Sequence, residues 1–174
     1  MAGIAAVVLA AGEATRFGSP KQRMLLPAVL ERLARTSVDE VVVVQGAYAL
    51  ELSGSEPQSS SARVVECPEW QRGPGASLRC GLASLADYIE AAVVVLADGP
   101  RLSPDAVERV LAAWRERGGI VAASYDGGRG HPLVLGRTDW DGVPDEGLHD
   151  RPVLLVPCDD LGAPGDVDRP EDLT

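Results

Sequence analysis

Several stretches of this chain are apolar at every position, most clearly 4–10 (IAAVVLA) and 92–97 (AVVVLA). A strand with water on one face alternates polar and apolar residues; a strand with no polar side must be covered on both faces. Strands are therefore expected at 4–10, 41–44, 63–66, 92–97, 120–123, 133–135 and 153–156. The cover has to come from helices, and helical stripes lie between the strands. Ser103-Pro104 forms a cap followed by Pro in the first turn, and Val107, Val110, Leu111 and Trp114 then follow helical spacing. Leu78, Leu82 and Leu85 make a second stripe after Gly73-Pro74-Gly75, and 27–35 supports a third. This alternation predicts an α/β domain with a mostly parallel sheet, one domain over 1–174. The Ser-rich stretch 53–61 is expected to be an exposed loop.

In such a sheet, ligands bind beyond the carboxyl ends of the strands. After 4–10 the chain runs Leu9-Ala10-Ala11-Gly12 and on to Arg16 and Lys21. Small residues let backbone N–H groups approach an anion, while the guanidinium and ammonium add a fork and a point charge. That set suits a polyphosphate. The chain has a net charge of −10, which excludes a broad nucleic-acid-binding face, so cations for a phosphate must be concentrated locally. Lys21 is the single Lys among 16 cationic residues. The loop is neither a Walker A sequence nor a G-x-G-x-x-G fingerprint.

The second strand end, 93–100, reads VVVLADGP and presents Asp98, a carboxylate suited to Mg²⁺ together with phosphate oxygens. Further carboxylates, Asp166 and Asp168, stand near the C-terminus. No G-x-S-x-G occurs, and Cys and His are not spaced for zinc. His131, within Gly-His-Pro, is expected in a turn. Cys67, Cys80 and Cys158 form neither a C-x-x-C pair nor an even set, and three reduced thiols are expected. No apolar run is long enough to cross a bilayer and no charged leader opens the chain, so a soluble cytoplasmic protein is expected.

Taken in order, these segments resemble the MobA-like nucleotidyltransferases, most closely their molybdenum cofactor cytidylyltransferase branch. The opening loop is similar to L-A-A-G-x-x-x-R-x-G-x-x-K at every fixed position. Residues 68–82 resemble N-P-x-W-x-x-G-x-x-x-S-L-x-x-G-L, residues 125–132 resemble Y-x-G-x-x-G-H-P, and residues 166–173 resemble D-I-D-T-P-E-D-L. The resemblance implies a three-layer Rossmann-like, GT-A-like fold with one antiparallel strand. It also implies Mg²⁺-dependent transfer of a nucleoside monophosphate from an NTP to a phosphate, with release of pyrophosphate. Position by position, Leu9, Ala10, Ala11 and Gly12 would contact base and triphosphate, with Gly75 and Ser77 lining the base and ribose pocket. Arg16 and Lys21 would act on the phosphates, and Asp98 with Asp168, or Asp166 in its place, would hold the metal. The A-A-G opening favours CTP over GTP. The implied acceptor is molybdopterin, with a molybdoenzyme as a partner. A sugar phosphate as acceptor, and a nucleotide-binding protein without catalysis, are the alternatives. The segment 145–150 runs almost directly into the strand expected at 153, so the acceptor side is short.

Overall fold

The structure, a computed structural model, describes residues 3–11, 21–46 and 62–165. Its elements follow the alternation expected above. They are β1 (Gly3–Ala10), α1 (Lys21–Leu33), β2 (Glu40–Gln45), β3 (Ala62–Glu66) and α2 (Pro74–Ala83), then β4 (Ile89–Leu96), α3 (Pro104–Arg117), β5 (Ile120–Tyr125), β6 (Gly128–Gly136) and β7 (Leu154–Pro157). The sheet order is β3-β2-β1-β4-β6-β5-β7. β6 runs antiparallel to both its neighbours, and every other pairing is parallel. This is a three-layer, Rossmann-like arrangement, with α1 and α3 on one face of the sheet and α2 on the other.

Both faces of β1 are used. Ala6 and Val8 pack into the cluster that holds Val29 and Leu30 of α1 and Val107 and Val110 of α3. Ala5 and Val7 pack on the opposite side with Leu78 and Leu82 of α2. Gly81 sets how closely α2 approaches: a Cβ there would lie 2.6 Å from Val7 Cγ1 and 2.9 Å from Val44 Cγ2. α3 is built as its sequence predicts, with the Ser103 hydroxyl accepting from Ala106 N–H at 3.3 Å. α1 starts earlier than expected, at Lys21, and carries Pro27 inside it. A proline there forfeits one helical hydrogen bond, and the buried stripe Leu26, Val29, Leu30 and Leu33 holds the helix regardless. No helix among the described residues is long and apolar enough to cross a membrane.

β6 differs most from expectation: it spans nine residues, not three. The cause is a hairpin at Tyr125-Asp126-Gly127-Gly128, in which Asp126 (φ 53°) and Gly127 (φ 78°) both take left-handed backbone. Two successive left-handed residues match the twist of a tight hairpin. Between the pairs Ala122↔Leu133 and Ser124↔Arg129 the register shifts, so residues 130–132 bulge out of the ladder. His131 is therefore a strand residue on this bulge, which corrects its expected place in a turn, and its carbonyl accepts from Tyr125 Oη at 2.8 Å.

The cysteines also differ from expectation. Cys67, just after β3, and Cys80, within α2, form a disulfide with Cα atoms 5.8 Å apart. Sequence spacing could not show this, because the pair is 13 residues apart and meets only when α2 lies on β3. Cys158 alone is a free thiol, buried, and its burial pushes its pKa up.

The arginine-rich composition has a structural use. Arg137 donates to Ile89 O (2.6 Å) and Ala86 O (2.8 Å). Arg151 donates to the carbonyls of Asp139, Asp141 and Gly142 at 3.0, 3.2 and 2.8 Å. Arg32 reaches Leu102 O, Arg63 reaches Ser84 O and Arg79 reaches Val143 O. A planar fork with five donors can tie several carbonyls at once, which an ammonium does less well.

Candidate functional site

The carboxyl ends of β1 and β4 lie side by side. Leu9 pairs with Leu96, and Ala97 N–H donates to Leu9 O at 3.1 Å. Leu9, Ala10 and Ala11 are thereby brought beside the turn that carries Asp98. Ala10 and Ala11 are buried and Asp98 is half-buried. Lys21 is the first residue of α1. Its side chain, together with Gly12, Arg16, Asp166 and Asp168, lies outside the described residues.

Two cavities open at these strand ends. The first, about 510 Å³, lies on the α2 face. Its apolar wall includes Leu9, Leu78, Val94, Leu96 and Leu148, and its polar groups are Arg129, His131, Glu146 and His149. The second, about 470 Å³, lies against Val95, Gly99, Leu102, Tyr125 and Pro164. Leu96, Arg129, Gly130 and His131 belong to both, so the β6 bulge is the partition between them.

The first turn of α2 faces this region through Pro74 and Leu78, which line the first cavity. Gly75 and Ser77 are buried behind them. Gly75 N–H donates to Asp145 O at 2.8 Å, and a Cβ on Gly75 would fall 1.6 Å from Pro144 O. Gly75 is thus needed for the backbone of 144–145 to close on the helix. The Asp145 carboxylate accepts from Arg79 (2.5 Å) and also pairs with Arg72 (3.2 Å). The hydrogen bond from Arg79 is the main reason its pKa is held below the ordinary carboxylate value. This fastening of 143–148 to α2 was invisible in the sequence, as was Arg129. The Asp126-Gly127 dipeptide, a hairpin signal, could have pointed to Arg129.

The electrostatics of the partition keep its imidazole neutral. Burial, and then the cationic Arg129, push the His131 pKa down to about 4, against an opposing pull from Asp98. Among the described residues, no group of three or more His, Cys, Asp or Glu could hold a metal by itself. Asp98 still suits a divalent cation that takes one or two carboxylates and completes its shell with phosphate oxygens and water.

Comparison with known proteins agrees with this geometry. The MobA-like NTP transferase domain matches residues 6–153. Among curated proteins, the bifunctional IPC transferase and DIPP synthase of Rubrobacter xylanophilus is 30% identical across 98% of this chain and 50% of its own length. The bifunctional protein GlmU of Sorangium cellulosum is 28% identical across 77% of this chain and 31% of its own length. The chain therefore spans from 31% to 50% of the length of these relatives. Among solved structures, Rv0371c of Mycobacterium tuberculosis H37Rv superposes with a TM-score of 0.80 at 28% identity, covering 98% of this chain and 95% of that one. A crystal structure of Rv0371c in complex with manganese gives a TM-score of 0.72 at 26% identity, covering 98% and 95%.

Proposed function

We propose that this chain, which belongs to the MobA-like NTP transferase family, moves a nucleoside monophosphate from an NTP to the phosphate of a small acceptor. The single observation that carries this reading is the placement of two adjoining cavities that share Leu96, at the meeting carboxyl ends of β1 and β4 and two residues before Asp98. One reacting molecule can occupy each side of that point. CTP is the favoured donor, from the Ala10-Ala11-Gly12 opening. For the acceptor, the GlmU and IPC transferase relatives favour a sugar or polyol phosphate over molybdopterin. They lend no support to a molybdoenzyme partner either.

The chemistry needs no protein nucleophile. An anionic oxygen of the acceptor phosphate attacks the α-phosphorus of the NTP, forming the new P–O bond. The bond from the α-phosphorus to the bridging oxygen breaks, and pyrophosphate leaves with that electron pair. The acceptor oxygen is already ionised at neutral pH, so no proton has to be removed. What remains for the protein is in-line positioning and stabilisation of negative charge. The backbone of Leu9, Ala10, Ala11 and Gly12 would hold the nucleotide, and Arg16 and Lys21 would neutralise its phosphates. Gly75 and Ser77 act behind the cavity wall, shaping the first turn of α2. Asp98, with Asp168 or Asp166, would hold Mg²⁺ or Mn²⁺, which when bound supplies charge neutralisation at the phosphates.

The test is thermal stability with Mg²⁺ and each of CTP, GTP, ATP and UTP, followed by pyrophosphate release with a panel of sugar phosphates and with molybdopterin. A nucleotide at 100 times its Kd is expected to add about 2.7 kcal/mol. Selective stabilisation by CTP and turnover with a sugar phosphate are the expected results. Turnover with molybdopterin alone would overturn the acceptor assignment. Nucleotide binding with no pyrophosphate release from any acceptor would favour a binding protein that lacks catalysis.

A further inference from the structure

The partition between the cavities carries one cationic side chain whose role the proposed chemistry has not used. β6 leaves its ladder with β4 beyond Leu133, and Arg129 stands at the far end of the bulge, opposite Ser124 of β5. It is the one Lys or Arg in the described wall of either cavity. Its guanidinium donates to Leu148 O at 2.9 Å. No described carboxylate forms an ion pair with it, whereas Arg72, Arg79 and Arg109 each have at least one. A guanidinium that shares its cavity wall with Glu146 but is ion-paired to no described carboxylate can take an incoming anion, and a fork of five donors suits a phosphate held through two oxygens.

The sheet order says which phosphate. In-line transfer requires the attacking and leaving oxygens on opposite sides of the α-phosphorus. β4, which leads to Asp98, lies between β1 and β6. The loop after β1 is the proposed seat of the triphosphate, so the attacking phosphate has to approach from the β6 side, where Arg129 stands. We propose that Arg129 binds the phosphate monoester of the acceptor. This assignment rests on the nucleotidyltransferase reading above. It makes Arg129 a substrate-binding residue for the acceptor and not for the NTP.

The experiment is calorimetric titration of glucose 1-phosphate, and of inorganic phosphate as a minimal probe, into full-length protein saturated with Mg²⁺ and a non-hydrolysable CTP analogue. Wild type, Arg129→Gln and Arg129→Lys are compared, with thermal melts to show that each variant is folded. Loss of a charge-assisted, two-oxygen contact is expected to weaken binding of both probes about 10–100-fold in R129Q, with partial recovery in R129K. Affinity for the CTP analogue is expected to stay within about twofold, since the proposed triphosphate seat lies on the other side of β4. Equal probe binding by wild type and R129Q, or no probe binding by nucleotide-loaded wild type, overturns the assignment. Equal weakening of the CTP analogue and the probes also overturns it, placing Arg129 on the nucleotide while leaving nucleotidyl transfer intact. Wild type that binds no nucleotide defeats the nucleotidyltransferase reading first, and this assignment with it.

Discussion

The two sides of β4 are held by different forces. On the β1 side, parallel strands with apolar residues on both faces are pressed between α1, α3 and α2, and the helix-to-sheet spacing is set by contacts such as Gly81 on Val7. On the β6 side there is a hairpin, a bulge and the stretch 137–151, which holds little regular structure. That stretch is fastened by guanidinium groups to backbone carbonyls and by Arg79 to Asp145. The first kind of construction fixes strand ends closely, because a packed core tolerates little change in volume. The second can be re-cut locally without disturbing the core. The proposed donor side therefore sits on the rigid construction and the proposed acceptor side on the adaptable one.

The comparison can be broken most directly at Asp98, where the two sides meet. Asp98→Ala is expected to lower the rate of pyrophosphate release by about 10²–10⁴, by analogy with other groups that stabilise transition-state charge. A variant with near wild-type turnover would remove Asp98 from the proposed metal site. Gly75→Ala tests the joint between α2 and 144–145. Its methyl would collide with backbone that cannot rotate away, so a loss of about 3 kcal/mol is expected, a melting shift of about 6–12 °C. A smaller shift would mean that 144–145 moves freely, and that the fastening is looser than the contacts indicate. The Cys67–Cys80 disulfide belongs to the β1 side, tying the exit of β3 to α2. Closing a loop of this length is expected to contribute about 2–3 kcal/mol in the chain-entropy account, so melts with and without reductant should differ. An unchanged melting temperature would show that packing alone holds α2.

The smallest effect is a pH dependence on the β6 side. His131 in the folded chain titrates at about 4, below the 6.5 of an unfolded histidine. A histidine kept neutral by folding gives stability that is fully present above pH 6.5 and is lost as pH falls from 6.5 towards 4. About 1–2 kcal/mol is expected after discounting for its partial exposure. Urea unfolding at pH 7.5 and 4.5, compared with His131→Gln, measures it; equal slopes in both proteins would place the acid sensitivity elsewhere.

Much of the β1 side was legible in the sequence because its rules are local. Uninterrupted apolar runs announced β1 and β4, and Ser103-Pro104 with its stripe announced α3. The strand ends could be picked out because the apolar runs stop at small residues or at Asp98. The β6 side was less legible. Its hairpin hid inside a motif that read as a turn, and the bulge that presents Arg129 depends on a register shift against β5. The disulfide and the Arg79–Asp145 pair join residues 13 and 66 apart, and no local pattern marks either. The bias towards arginine was plain in the composition, but its use depends on carbonyls that only the fold brings within reach.

Those carbonyl anchors bear on how the protein meets acid. Neither partner in the bonds made by Arg137 and Arg151 changes protonation between neutrality and the isoelectric point near 4.6. Across that interval the chain sheds its net negative charge, while 137–151 keeps these ties to the sheet and to itself. The imidazole on the partition, with its pKa pushed down to about 4, stays mostly neutral across the same interval. The frame around the cavities is expected to outlast the molecule's net negative charge as the solution is acidified.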